Sequence, residues 1–295
     1  ALRSLSALRA AAALLAPVVL LGACSSAPKP PEEIRERKQR AAEYSEFGNR
    51  YFNQANYSQA LDFFGLALTE NLAVDNQPGV VRSLNSLGKV YQALGDEPRA
   101  AESFTRALGL ARALGERPLI AQSANNLGET HLQEGRNTEA LELFQEAVGL
   151  LDAADQGADA AVIYHNVGSA YKSEGRLDEA LAYFQRALPI NTALKRYEEA
   201  ASNHYMIASV YSKRQEYEAA LASIDLALAL DKQMESSLGI AKDLFARGLI
   251  QQKAERHEEA YDSLQRCFQV YQAMGQRAEA LRILPYVIAA AELLG

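Results

Sequence analysis

The feature that most constrains the fold of this 295-residue chain is a set of small residues that recurs every 40 positions. The markers of the series are Gly48, Gly88, Gly128, Gly168, Ala208 and Gly248. Twelve positions after each marker stands an alanine, and 16 positions after it a large apolar residue, namely Phe64, Phe104, Phe144, Phe184, Ile224 and Leu264. Six copies at one period indicate a single supersecondary unit that is stacked into a solenoid.

Each copy is predicted to be an antiparallel pair of helices, helix A followed by helix B. Glycine or alanine at the marker lets the two axes approach closely, and the aromatic residue of helix B fills the space beside it. Gly95, Gly135 and Gly175 follow their markers by seven positions, where a left-handed residue would end helix A. In the third copy we expect helix A over about 118–134 and helix B over about 138–153.

The pattern of the second copy, Leu87-Gly88, Tyr91, Gly95, Ala100, Phe104 and Ala107, resembles the tetratricopeptide repeat. The usual unit has about 34 residues, whereas this one has 40. Long units with an Asn-Leu-Gly core, as in Asn126-Leu127-Gly128, are similar to those of kinesin light chains and G-protein-signalling-modulator scaffolds. The resemblance implies an all-α fold, an α-solenoid of six units plus a C-terminal capping helix, with helices A lining its concave face.

The expected organisation has four parts: a lipoprotein signal peptide at 1–23, the lipidated cysteine and a flexible tether at 24–39, repeats at 40–276, and a capping helix at 277–295. The repeats are placed at about 40–79, 80–119, 120–159, 160–199, 200–239 and 240–276. Pro285 interrupts the last segment and is expected to kink that helix or to start a new one. The sixth copy carries Arg247 and Gln251 at apolar or aromatic positions, so we expect it to be the loosest.

The N-terminal segment carries Arg3 and Arg9, then an apolar run of about a dozen residues, then Leu21-Gly22-Ala23-Cys24. These zones are typical of a secretory signal, and the final four residues resemble a bacterial lipobox. The resemblance implies cleavage before Cys24, acylation of its thiol and amine, and anchoring in the cell envelope. The absence of aspartate after Cys24 favours the outer membrane. A plain signal peptide or a buried N-terminal helix is the alternative.

Positions two and three before each marker, and one after it, would face the concave side of this repeat type. They include the amides Asn85, Asn125, Asn126 and Asn166, followed by the apolar Tyr205 and Phe245. An amide donates and accepts hydrogen bonds, so such a row could hold the backbone of an extended peptide, with Tyr205 and Phe245 as an apolar anchor. Alternatively, the asparagines are repeat consensus on a solvated face, and Tyr205 and Phe245 pack on neighbours.

No pattern in the sequence indicates catalysis. The four histidines lack the spacing of a helical metal site, and no nucleophile elbow or phosphate-binding loop is present. We therefore expect no enzyme activity, cofactor, metal or small-molecule substrate. A net charge of −7 argues against a nucleic-acid partner. Cys24 and Cys267 lie in different contexts and predict no disulfide, and Cys267 is expected to be a small core residue.

Three functions fit these observations. The first is a membrane-anchored scaffold or adaptor that binds a protein or peptide in the concave groove. The second is a structural envelope protein that self-assembles through the ends of its solenoid. The third is a regulator that senses peptides.

Overall fold

The fold was analysed in a computed structural model that describes residues 31–151 and 157–294. These residues form thirteen α-helices and no strand. The helices are α1 (Pro31–Asn53), α2 (Tyr57–Ala73), α3 (Gln77–Ala93), α4 (Glu97–Leu114), α5 (Arg117–Gln133), α6 (Asn137–Leu150), α7 (Ala158–Ser173), α8 (Leu177–Ala193), α9 (Tyr197–Lys213), α10 (Tyr217–Gln233), α11 (Ser237–Lys253), α12 (His257–Ala273) and α13 (Arg277–Glu292). The odd-numbered helices α1 to α11 are the predicted helices A, and α2 to α12 are the helices B.

A residue in the left-handed conformation separates consecutive helices at regular intervals. The predicted glycines occupy this site within the second, third and fourth units, with φ of 73° at Gly95 and 77° at Gly135 and Gly175. Non-glycine residues fill the equivalent site elsewhere, for example Gln215 with φ of 64° and Glu255 with φ of 61°. The turn geometry is therefore the same in these units although the residue differs.

The close approach of the two helices in a unit is confirmed at the marker positions. A Cβ atom added to Gly128 would lie 2.8 Å from Cε1 of Phe144, which is too short for real carbon atoms. The same clash would occur between Gly168 and Phe184 at 2.8 Å. Phe144 and Phe184 are fully buried. The fifth unit replaces the pair by Ala208 and Ile224, which are also buried, so a larger marker is matched by a non-aromatic partner.

The helix pairs stack side by side, and each helix packs on the helices before and after it in sequence. Helices A also contact one another across units, from α1 with α3 to α9 with α11. Because the helices A of neighbouring units are closer to each other than the helices B are, the helices A lie on the inner side of the stack. The all-α solenoid with an additional C-terminal helix is thereby confirmed.

Two boundaries differ from those expected. Helix α1 begins at Pro31, so residues 31–39 form helix rather than the predicted tether. Arg37 in this segment and Arg40 just after it bind Glu70 of α2 at 3.2 and 3.3 Å, which explains why the helix extends so far. Helix A of each later unit begins about three residues before the predicted repeat boundary, as Gln77 does. The predicted signal peptide and Cys24 lie outside the described residues.

Two local expectations near the C-terminus have clear outcomes. Pro285 lies inside α13, which continues to Glu292, so no new helix starts there. Cys267 is fully buried, as predicted, and burial raises the pKa of its thiol to about 11. Gln251 is also fully buried, and it accepts a hydrogen bond from Ser263 at 2.7 Å.

Within the described residues, the helices are too short or too polar to cross a lipid bilayer.

Candidate ligand-binding groove

The inner face of the solenoid carries a cavity of about 520 Å³ between α1, α3 and α5. Its walls include residues that the sequence pattern placed on the concave side, namely Ser45, Asn49, Asn85, Ser86 and Lys89. Arg82 and Gln122 add further polar side chains. The structure thus brings predicted groove positions of the first two units together around one open space, to which α5 of the third unit adds other residues.

The predicted asparagine row forms hydrogen bonds between neighbouring units. Nδ2 of Asn126 donates to Oδ1 of Asn85 at 3.2 Å, and Nδ2 of Asn85 donates to Oγ of Ser123 at 2.8 Å. Nδ2 of Asn166 donates to Oδ1 of Asn125 at 3.0 Å. The amides therefore link helices α3, α5 and α7 to each other.

Burial of these amides limits what they can offer a ligand. Asn85, Asn125 and Asn126 are only 3–4% exposed, and Asn166 is half-buried. A buried amide that loses its partner costs roughly 1–3 kcal/mol. The asparagines consequently stabilise the stacking of the units, and their contact with a bound peptide stays a prediction. The alternative interpretation placed these asparagines on a solvated face, whereas three of them are nearly inaccessible to solvent.

The two predicted apolar anchors lie in different surroundings. Tyr205 lines a second cavity of about 530 Å³, formed by α9, α10 and α11. Phe245 instead packs on Tyr286 of α13 in an edge-to-face contact with ring centroids 5.0 Å apart. Phe245 is therefore partly covered by the C-terminal helix, whereas Tyr205 remains available at the cavity wall together with Met206.

The second cavity, which we call the acidic cavity, contains two buried carboxyl groups. Asp231 of α10 is 7% exposed and Asp243 of α11 is 3% exposed. Burial is the main cause that raises the pKa of Asp243 to about 8, and the neighbouring carboxylate of Asp231 adds to this effect. Burial also raises the pKa of Asp231. At neutral pH the pair therefore holds a shared proton and about one negative charge.

Sequence reasoning missed this pair, although a periodic signal was present. The equivalent positions 40 and 160 residues earlier are Asn191 with Asn203, and Asn71 with Ser83. Nδ2 of Asn71 donates to Oγ of Ser83 at 3.2 Å, again between a helix B and the following helix A. Gly79 and Gly239 stand 160 residues apart. The side chain of Asn71 occupies the space that a Cβ atom at position 79 would need, and the side chain of Asp231 does the same at position 239. These extra glycines were the available clue.

Charged groups without close opposite partners line the middle of the inner face. Burial raises the pKa of Glu129, an effect that Lys89 partly offsets. Burial and the neighbouring Lys213 lower the pKa of Lys172, whose Nζ lies 3.2 Å from Sδ of Met206. In the described residues no group of histidine, cysteine and carboxylate side chains is arranged to hold a metal ion.

Stacked helix pairs with close glycine–aromatic contacts define the class of α-solenoid proteins built from helical repeats. The model of the tetratricopeptide repeat family matches residues 80–153, 119–193 and 159–233. The chain therefore belongs to the tetratricopeptide repeat family. No curated protein matches its sequence significantly.

Several solved structures share the fold. BtubC (BKLC) from P. vanneervenii is 17% identical with a TM-score of 0.61, over 81% of this chain and 92% of that one. A Rap protein complexed with competence and sporulation factor is 16% identical with a TM-score of 0.61, over 86% and 75%. PilF of Pseudomonas aeruginosa is 20% identical with a TM-score of 0.60, over 83% and 99%. At these identities the likeness concerns the fold.

Proposed function

We propose that this protein is a non-enzymatic scaffold that binds an extended segment of a partner protein along the inner face of its helices A, and that an acylated Cys24 holds it in the bacterial outer membrane. The observation that carries the proposal is the pair of open cavities, about 520 and 530 Å³, at the predicted groove positions. Cavities of this size accommodate several side chains of a bound segment.

The groove residues also support a binding function because they differ between units while the packing residues are kept. The first cavity presents two basic side chains, Arg82 and Lys89, and two acidic ones, Glu116 and Asp159. The acidic cavity presents the buried carboxyl groups of Asp231 and Asp243. Buried carboxyl groups are costly, so a scaffold that only stacked helices would have no need for them. Unequal charges along one face instead give a bound segment a direction and a register.

Binding is tested by filling the first cavity without disturbing the contacts between units. Gln122 lines this cavity and is half-buried, so Gln122→Arg should block the groove and abolish capture of partners in crosslinking and pull-down from envelope membranes. Gln145 lies exposed on helix B of the same unit, so Gln145→Arg is the matched control and should leave capture unchanged. Equal capture by both variants would contradict groove binding.

Replacing Asn125, Asn126 and Asn166 by alanine is a weaker test than the sequence suggests. Loss of capture is still expected, but these amides link neighbouring units, so the variant should also unfold at a lower temperature. Gln122→Arg avoids this ambiguity.

The anchor is tested separately. The Cys24→Ala variant should leave the membrane fraction and lose acylation, measured by fractionation and by mass spectrometry of the N-terminal peptide. A variant that remains in the membrane would show that the lipid assignment is wrong.

A peptide-sensing regulator is the second candidate, because the fold is shared with a Rap protein that was crystallised with competence and sporulation factor. The membrane fractionation described for Cys24 distinguishes the two candidates, because an envelope scaffold should be found with the membranes and a cytoplasmic sensor should not. Self-assembly through the solenoid end is the third candidate, since Leu281 and Ile288 of α13 and Leu293 just after it are 50–60% exposed. Light scattering that shows a monomer would remove this third candidate. The likeness to kinesin light chain units stays a prediction.

A further inference from the structure

The acidic cavity contains a buried carboxyl oxygen to which no protein N–H group donates. It is Oδ2 of Asp243, and among the described residues the proton shared with Asp231 is the donor that the cavity itself offers this carboxyl group. Asp243 is only 3% exposed, yet its side chain forms part of the cavity wall. A buried carboxyl oxygen without a partner costs free energy unless a ligand supplies the missing donor.

The other groups around the cavity leave it short of positive charge. Asp231 of α10 faces Asp243, and Glu198 and Tyr205 approach from α9. Lys242 of α11 is the cation at the wall, and it is exposed. Three carboxyl groups therefore surround a space with one basic side chain, and two of the three are buried.

The repeat itself provides an internal comparison for the pair. The equivalent positions of the preceding unit hold the neutral amides Asn191 and Asn203, which are 2% and 0% exposed. The fold thus accepts neutral side chains at both sites, so packing alone does not require carboxyl groups there. The carboxyl groups of the fifth and sixth units call for an explanation other than stacking.

We propose that the acidic cavity binds the guanidinium or ammonium group of an arginine or lysine side chain of the partner segment, with Asp231 and Asp243 as its hydrogen-bond acceptors. The proposal rests on the proposed function and names the chemistry of the bound segment at one end of the groove. Tyr205 and Met206 at the same wall can pack against the methylene groups of such a side chain. Hydrogen bonds from a cationic donor to a carboxylate are stronger than those between neutral groups.

A bound cation would favour the doubly ionised pair and so release the shared proton. Because the pKa of Asp243 is about 8, binding should strengthen as the pH rises towards that value. Each pH unit below it should weaken binding by up to about tenfold, since one proton is exchanged.

The test uses the full chain with 13C-labelled aspartate carboxyl groups and two small probes. Acetyl-Gly-Arg-Gly-amide carries the cation, and acetyl-Gly-citrulline-Gly-amide is its neutral isostere. In NMR titrations the arginine probe should shift the Asp231 and Asp243 resonances saturably and lower the apparent pKa of the pair. It should bind at least about tenfold more tightly than the citrulline probe, the step expected for one charge-assisted contact.

The decisive variant is Asp231→Asn with Asp243→Asn, which recreates the neutral pair of Asn191 and Asn203. It should fold normally, as shown by circular dichroism, and lose the preference for arginine. Glu258→Gln is the control for general surface charge, because Glu258 is exposed on α12 and does not line the cavity. The proposal is overturned if both probes bind alike, if the double variant keeps the preference, or if Glu258→Gln abolishes it equally. Tighter binding of free agmatine than of the arginine probe would also overturn it, since the site would then hold a small cation.

Failure here can be distinguished from failure of the proposed function. The probes report on the cavity without any partner, whereas Gln122→Arg reports on capture of the partner through the other cavity.

Discussion

The contact between Gly128 and Phe144 offers a quantitative test of how the helix pair is held together. Adding a methyl group in Gly128→Ala would place Cβ 2.8 Å from Cε1 and 3.0 Å from Cδ1 of a fully buried ring. Overpacking of this kind costs about 1–3 kcal/mol. Alanine also has the higher helix propensity, worth about 1 kcal/mol. The net change should therefore be a destabilisation of about 0–2 kcal/mol.

Gly109→Ala isolates the overpacking term. Gly109 lies inside α4, and a Cβ there would meet nothing within 4 Å. The propensity gain of about 1 kcal/mol should then appear in full as stabilisation. Since propensity is common to both substitutions, the difference between the two variants should equal the overpacking cost, about 1–3 kcal/mol.

Phe144→Ile completes a double-mutant cycle. The pair Gly128→Ala with Phe144→Ile recreates the natural combination of Ala208 and Ile224 in the fifth unit, where both residues are buried. The second substitution removes the ring that the new methyl group would strike. We expect a favourable coupling of about 1–3 kcal/mol between them, well above the few tenths that independent sites show.

The assay is urea unfolding followed by far-UV circular dichroism, with hydrogen exchange of α5 and α6 to localise the effect. Solenoid units contact only their neighbours, so exchange should change most in the third unit. Additive free energies within about 0.5 kcal/mol would refute the argument that the ring excludes a side chain at position 128.

Two further predictions concern the same fold. Asp243 has a raised pKa in the folded protein, so the folded state binds more protons than the unfolded state between about pH 4 and pH 8. The free energy of unfolding should therefore fall as the pH rises through this range, by at most about 1.4 kcal/mol per pH unit. Asp243→Asn should flatten that slope in urea unfolding measured at several pH values, and an unchanged slope would contradict the assignment. Gln215→Gly should stabilise the protein by about 0.5–1 kcal/mol, because glycine removes the strain of a left-handed residue at φ of 64°; thermal melts that show no gain would speak against it.

The periodic features of the fold were predictable because they depend on local spacing. Gly128 and Phe144 stand 16 positions apart, and any antiparallel helix pair with a short turn brings such residues together. Gly95, Gly135 and Gly175 predicted the turns for a similar reason, since a left-handed residue favours glycine. The predicted repeat boundaries lie about three residues after the observed helix starts. The helix at 31–39 was missed because the residue that stabilises it, Glu70, lies in another helix.

The candidate site was predicted by position but not by environment. The sequence placed Asn85, Asn125 and Asn126 on the inner face, yet it could not show that the amides bond to each other and are nearly buried. Neither could it show that Phe245 is covered by Tyr286 while Tyr205 borders a cavity. Burial depends on how closely neighbouring units stack, and no pattern within one unit encodes that distance.

The sequence by itself determined the repeat, its helix pairs and its membership in a family of helical-repeat proteins, because six copies of one local pattern allow a single way to bury their apolar faces. The tertiary structure alone decided how Gln251, Asp231 and Asp243 behave. Gln251 looked like a loss of packing in the sixth unit, but it lies fully buried and bonded to Ser263. The sequence pattern did not mark the two aspartates, which the packing of the fifth unit against the sixth removes from water and sets side by side. The energy of a polar group depends on its neighbours and its solvent, and those are fixed only when the units stack.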